Sequence, residues 1–208
     1  MTNKIDRYVI AVHILFAIVI GSIFANFHAE LFPISTGTFS FKSALIFMTL
    51  TTILLSWVGY NKKVEESGHG SGVLFIIDFV IIYFYFQMAY SINVSFSLFV
   101  LSLGLIFLAY LVWYPIKYIF DRGILKNKKY LIQILLLIVS TVIIFGIYTS
   151  FGDEGIEDID LSNDSTEYEM LKDGPHWWIL LFLLLLLIPF RIIDLLSHKN
   201  LQNNNSKV

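Results

Sequence analysis

Three ionisable side chains stand inside apolar runs at matching depth. With about 1.5 Å of rise per helical residue, Asp78 lies about 9 Å inside one boundary of its run, and His13 and Arg191 about 8 Å inside theirs. A lone charge at such depth in a bilayer costs a few kcal/mol even on permissive insertion scales, so Asp78 must be paired, neutral or hydrated. Two kinds of chemistry fit. An Asp78–Arg191 ion pair would hold two helices together, whereas His13 and Asp78 facing a polar path would relay protons or control ion passage. Asp194, three residues after Arg191, offers that arginine a second partner on its own helix face. Pro189, just before Arg191, predicts a kink beside the candidate pair.

The run that carries Asp78 is polar on two sides. Asp78, Tyr85 and Ala89 share one helical face, while Tyr83, Gln87 and Tyr90 share another. A helix with one side in lipid does not need this, so this run is expected at the centre of a bundle or at an oligomer axis. On the first run, Ala17, Gly21 and Ala25 follow His13 at four-residue steps, the small-residue spacing that lets a second helix approach closely. That ridge is the expected packing seam of a homo-oligomer or of the protomer itself.

Other motifs are weaker. Asp158, Asp160, Ser162, Asp164, Thr166 and Glu169 occupy positions 1, 3, 5, 7, 9 and 12 of a calcium-loop register. The sixth position is Asn163, where glycine makes the sharp turn, and the eighth is Ser165, where an apolar residue belongs. A solvated, cation-attracting surface explains the same acids, and no metal is expected. Ser67, Gly68 and His69 resemble the Ser-Gly-His element of membrane lipid phosphatases, but the basic block and the downstream Arg and His of that family have no counterpart. Nucleophile, base and oxyanion donors cannot be assembled from these residues, so no enzyme is expected and no cofactor is implied.

The elements that must position these groups are apolar helices. Hydrophobic residues make up 57% of the 208 and charged residues 14%, with a mean hydropathy of +0.74. Soluble domains carry roughly 25% charged residues, so this composition belongs in a bilayer. Runs long enough to cross it, about 20 residues each, fall at 8–27, 41–60, 72–91, 94–116, 130–150 and 177–196. The expected fold is therefore an all-α, polytopic bundle of about six transmembrane helices forming one domain over 1–199, followed by an Asn-rich, disordered tail at 200–208.

Orientation follows from the 14 Lys and Arg residues. With the N-terminus inside, only Lys42 and Lys172 lie outside and the other twelve face the cytoplasm, which predicts an N-in, C-in chain in a bacterial cytoplasmic membrane. Lys117, Arg122, Lys126, Lys128 and Lys129 form a basic inner loop that could dock anionic lipid or an acidic cytoplasmic protein. The loop at 151–175 is acidic and expected outside. A net charge of −2 gives no nucleic-acid footprint, and none is expected to bind directly. The chain has no cysteine, which removes disulfides, iron–sulfur clusters and thiol chemistry.

Two functions follow from these residues. One is an oligomeric channel or membrane-perturbing effector that passes ions or small solutes through the polar cluster. The other is a non-catalytic membrane subunit that docks a cytoplasmic partner through the basic loop.

Overall fold

The computed structural model describes residues 2–31, 40–67, 72–120, 128–151, 156–161 and 175–187. They form six helices: α1 (Thr2–Leu31), α2 (Phe41–Ser67), α3 (Gly72–Ser91), α4 (Phe96–Phe120), α5 (Lys128–Thr149) and α6 (His176–Leu187). The first five are long and apolar enough to cross a membrane. The described part of α6 is apolar but shorter, and Pro189, Arg191 and Asp194 lie outside the described residues. The tail at 200–208 is outside them as well.

Local chemistry sets the helix ends. Ser40 caps α2, its hydroxyl accepting the Ser43 N–H at 3.0 Å and its carbonyl the Ala44 N–H at 3.1 Å. The Ser43 hydroxyl in turn donates to the Glu30 carbonyl at 2.9 Å, tying the start of α2 to the end of α1. At Phe27 the α1 backbone leaves helical geometry (φ −126°, ψ 22°), so its last residues are offset from the main axis. Ser95 caps α4 after a tight turn from α3, which moves the start of α4 to Phe96, two residues later than the apolar run begins. Pro115 does not stop α4, which continues to Phe120.

Burial on α1 and α3 follows one stripe. On α1 the buried residues Val12, Phe16, Val19, Ile23 and Phe27 recur at steps of three and four. On α3 the stripe is Leu74, Asp78, Ile81, Ile82, Tyr85, Met88 and Ala89. This helix packs against α1, α2 and α4, while α5 packs on α4. At Gly104 α4 lies tightly against α5, for a Cβ there would meet Ile144 Cγ2 at 3.2 Å and Phe145 Cε2 at 3.3 Å.

The acidic segment is partly folded. Residues 156–161 lie across the α3–α4 turn, with Phe96 N–H donating to the Ile159 carbonyl and Leu161 N–H to the Val94 carbonyl, both at 3.1 Å. Ile159 and Leu161 are buried beneath, and an aromatic layer closes that end of the bundle. There Phe96 meets Phe41, Phe151 and the His176 ring edge to face, and Phe41 meets Trp177 in the same way. His176 bonds the Glu157 carbonyl through Nε2 at 2.8 Å, which secures the segment to the first turn of α6.

Candidate functional site

The centre of the site is α2, which brings His13 and Asp78 to one shared residue, Tyr60. The His13 ring stands edge-on to Tyr60 at 5.9 Å, and the Asp78 carboxyl acts electrostatically on the Tyr60 phenol. Asp78 is buried at 6% exposure and Tyr60 at 8%. His13 is half-buried and accepts the Trp57 indole N–H on Nδ1 at 2.8 Å. An indole nitrogen only donates, so Nδ1 carries no proton in this arrangement and the ring proton sits on Nε2. Phe16, one turn beyond His13, packs on Trp57, Tyr60 and Tyr85, completing the join of α1, α2 and α3.

One turn further along α2, Ser56 begins a chain of hydroxyls. Its Oγ is bonded to Tyr85 Oη of α3, which is bonded in turn to Tyr110 Oη of α4 at 3.1 Å. The direction of this chain is fixed at one end. Ser56 donates its proton to the Thr52 carbonyl at 2.8 Å, and a carbonyl can only accept. With that proton committed, Ser56 Oγ is open to accept from Tyr85 and Tyr85 from Tyr110, and in that arrangement the three hydroxyls donate in the same sense. All three side chains are buried, Tyr85 completely. Chains of this kind polarise one another in a medium of low dielectric.

Further along the same face of α3, Ala89 lines a cleft of about 60 Å³ between α1 and α3. Ser22, Asn26, Tyr90 and Asn93 bring polar groups to it, and Phe27 at the break in α1 forms part of its wall. Three polar stations thus follow one another along α3: Asp78 with Tyr60, Tyr85 with its hydroxyl partners, and the amide-bearing cleft.

The remaining expected residues are dispersed. Arg191 and Asp194 are outside the described residues. Tyr83 and Gln87 lie on the side of α3 away from the buried stripe, and Gln87 Nε2 donates to Tyr83 Oη at 2.9 Å. Ala17, Gly21 and Ala25 are exposed, and a Cβ on Gly21 would meet nothing within 4 Å. Of the basic loop, Lys117 holds its ammonium 5.1 Å from the Trp113 ring centre, and Lys128 and Lys129 open α5. Arg122 and Lys126 lie outside the described residues.

The calcium-like register begins with a residue that already has a structural task. Asp158 accepts the Ser97 N–H at 2.8 Å and the Ser97 hydroxyl, and Asp160 forms the bridge to Ser95. Ser162, Asp164 and Glu169 are outside the described residues, and among those described no group of three or more metal-ligating side chains gathers.

Residues of α2 are what sequence reasoning missed. Thr49, Thr52, Ser56 and Tyr60 recur at steps of three and four along one face, a signal of the same kind as that read on the third run. Thr49 and Thr52 donate back to the carbonyls of Leu45 and Met48, so they ride in an apolar helix at little cost. No protein-family model, curated protein or solved structure matches the chain, and the functional reading rests on these residues alone.

Proposed function

We propose that the chain is an oligomeric six-span protein of the bacterial cytoplasmic membrane, N-in and C-in, that passes protons or small cations through its helix bundle. The observation that carries this reading is Asp78. A carboxyl in an apolar helix is expensive to keep, yet this one is buried, in the end of the bundle assigned to the cytoplasm. It also stands first in a series of polar stations that reaches the far end of α3. A role confined to holding helices together would account for Asp78 and Tyr60. It would not call for the oriented hydroxyls or the cleft beyond them.

The path begins at Asp78, where Tyr60 and the neighbouring His13–Trp57 pair form the inner gate. It continues through the Ser56–Tyr85–Tyr110 hydroxyls, where a proton can be handed on if each donor reverses in turn. It leaves through the cleft at Asn26 and Asn93.

Purified protein in liposomes carrying a pH-sensitive dye tests this. Wild type is expected to dissipate an imposed proton or cation gradient, and Asp78→Asn, folded and assembled as wild type, to slow that flux at least tenfold. Equal flux from Asp78→Asn would assign the carboxyl to architecture. Wild-type liposomes that stay tight under every gradient would remove the reading and leave the docking subunit in its place.

A further inference from the structure

We infer that the side of α3 bearing Gln87 is the seam of a homodimer, occupied by the same helix of a second copy of this chain. The inference rests on the membrane placement of α3 and is independent of ion passage.

Gln87 belongs to a span that is polar where it should face lipid. Tyr83 and Tyr90, on the same side, are 51% and 61% exposed, and Ile76 on the same stripe is 61% exposed. The Gln87 amide has two N–H donors and a carbonyl acceptor. One donor goes to Tyr83 Oη, and among the described residues no group meets the carbonyl oxygen or the second N–H. Water would satisfy them if the side chain reached the outer surface, about 6 Å away along the helix. It turns the other way. Its partner is four residues earlier, so the amide points toward the middle of the span, following the backward slant of helical side chains. Hydrocarbon offers no hydrogen bonds, and an unmet amide there costs free energy that a protein partner would recover.

A second copy fits because a primary amide is its own complement. Two copies share one orientation in the membrane, so their α3 helices run parallel and a two-fold axis between them brings Gln87 against Gln87. Each amide then donates its second N–H to the other's carbonyl. The flanking Tyr83 and Tyr90 hydroxyls add donors and acceptors at the same depths, and Ile76 extends the contact toward the cytoplasmic end. The alternative seam, Ala17 to Ala25 on α1, presents no polar group that needs a partner.

Single cysteines decide between the two seams, since the chain has none of its own. Ile76→Cys and Tyr90→Cys leave the Gln87 amide in place and report on the α3 stripe. Gly21→Cys reports on the α1 ridge, and Val142→Cys on the exposed side of α5. In native membranes under mild oxidation, the two α3 reporters are expected to form homodimers and the other two are not. Adding Gln87→Leu is expected to cut the α3 cross-links at least fivefold while leaving the protein folded, as judged by detergent melting. Cross-links confined to Gly21→Cys would move the seam to α1. Cross-links from α3 to a different protein would replace the second copy, and unchanged cross-linking with Gln87→Leu, or single copies in nanodiscs, would overturn the inference. None of these outcomes depends on whether the protein conducts.

Discussion

Asp158 reaches across the surface of the bundle to cap a helix that begins before it in the chain: its carboxylate takes both the N–H and the hydroxyl of Ser97, in the first turn of α4. The first turn of a helix has N–H groups without internal partners and a positive end of its dipole, and an anion there answers both. The acidic segment is therefore joined to the helices by the very charge that makes it acidic.

Removing that charge should free the segment. Asp158→Ala is expected to lower stability by about 1 kcal/mol, the usual worth of a helix cap, and to hasten protease cleavage near 156–161. Ser97→Ala, which keeps the N–H bond, should have the smaller effect. Equal protease sensitivity in wild type and Asp158→Ala would show that Ile159 and Leu161 hold the segment unaided.

The middle place of Tyr85 in the hydroxyl chain predicts an order of severity. Tyr85→Phe removes the middle hydroxyl and leaves both neighbours without their bond to it, whereas Tyr110→Phe leaves the bond from Tyr85 to Ser56 intact. Interhelical hydrogen bonds in membranes average about 0.6 kcal/mol each, so Tyr85→Phe should cost about twice as much as Tyr110→Phe in detergent melting. Liposome flux should fall in the same order. A reversed order would show that Tyr85 is not the middle member of the chain.

The His13–Trp57 bond joins α1 to α2, so His13→Leu should loosen α1. The expected loss is about 1 kcal/mol, with faster amide hydrogen exchange in α1 around residues 9–17. His13→Gln, which can offer an oxygen to the indole, should recover part of it. Exchange that is unchanged in His13→Leu would mean that Val12 and Phe16 hold α1 in place.

Two glycines should behave oppositely. Gly104→Ala forces a methyl against Ile144 and Phe145 and should destabilise by about 1–3 kcal/mol. Gly21→Ala meets nothing in the protomer and should be tolerated. In a double-mutant cycle, Gly104→Ala with Ile144→Ala should cost less than the sum of the two.

For topology, cysteines at Ser162 and Asn127 should separate under an impermeant reagent in intact cells. Ser162→Cys is expected to label and Asn127→Cys to remain protected until the membrane is opened. The reverse pattern would invert the orientation.

Hydropathy made α1 to α5 legible because each is long and apolar enough to cross a bilayer, and α3 was read at 72–91, where Gly72–Ser91 stands. Its two polar sides were legible for the same reason, since Asp78 and Gln87 are conspicuous in apolar surroundings. Thr49, Thr52 and Ser56 were not, because a hydroxyl bonded to its own helix changes hydropathy little. The strand-like segment escaped notice because Ile159 and Leu161 alternate with Asp158 and Asp160 over only four residues, too few for a period of two to stand out from an acidic background. What pairs with Asp78 depends on which helices become neighbours, and spacing along one helix carries no such information.

The contacts of the described helices follow the order of synthesis. Each of α2 to α5 packs on the helix made just before it, and α1 and α3 also meet. Four helices can therefore gather while α5 is still being made. The cap that Asp158 adds to α4 is different, because it comes from a segment made after α5. The first turn of α4, held until then by Ser95, is thereby completed only after α5 has been made, and a chain whose acidic segment stays free would leave the Ser97 N–H without its carboxylate.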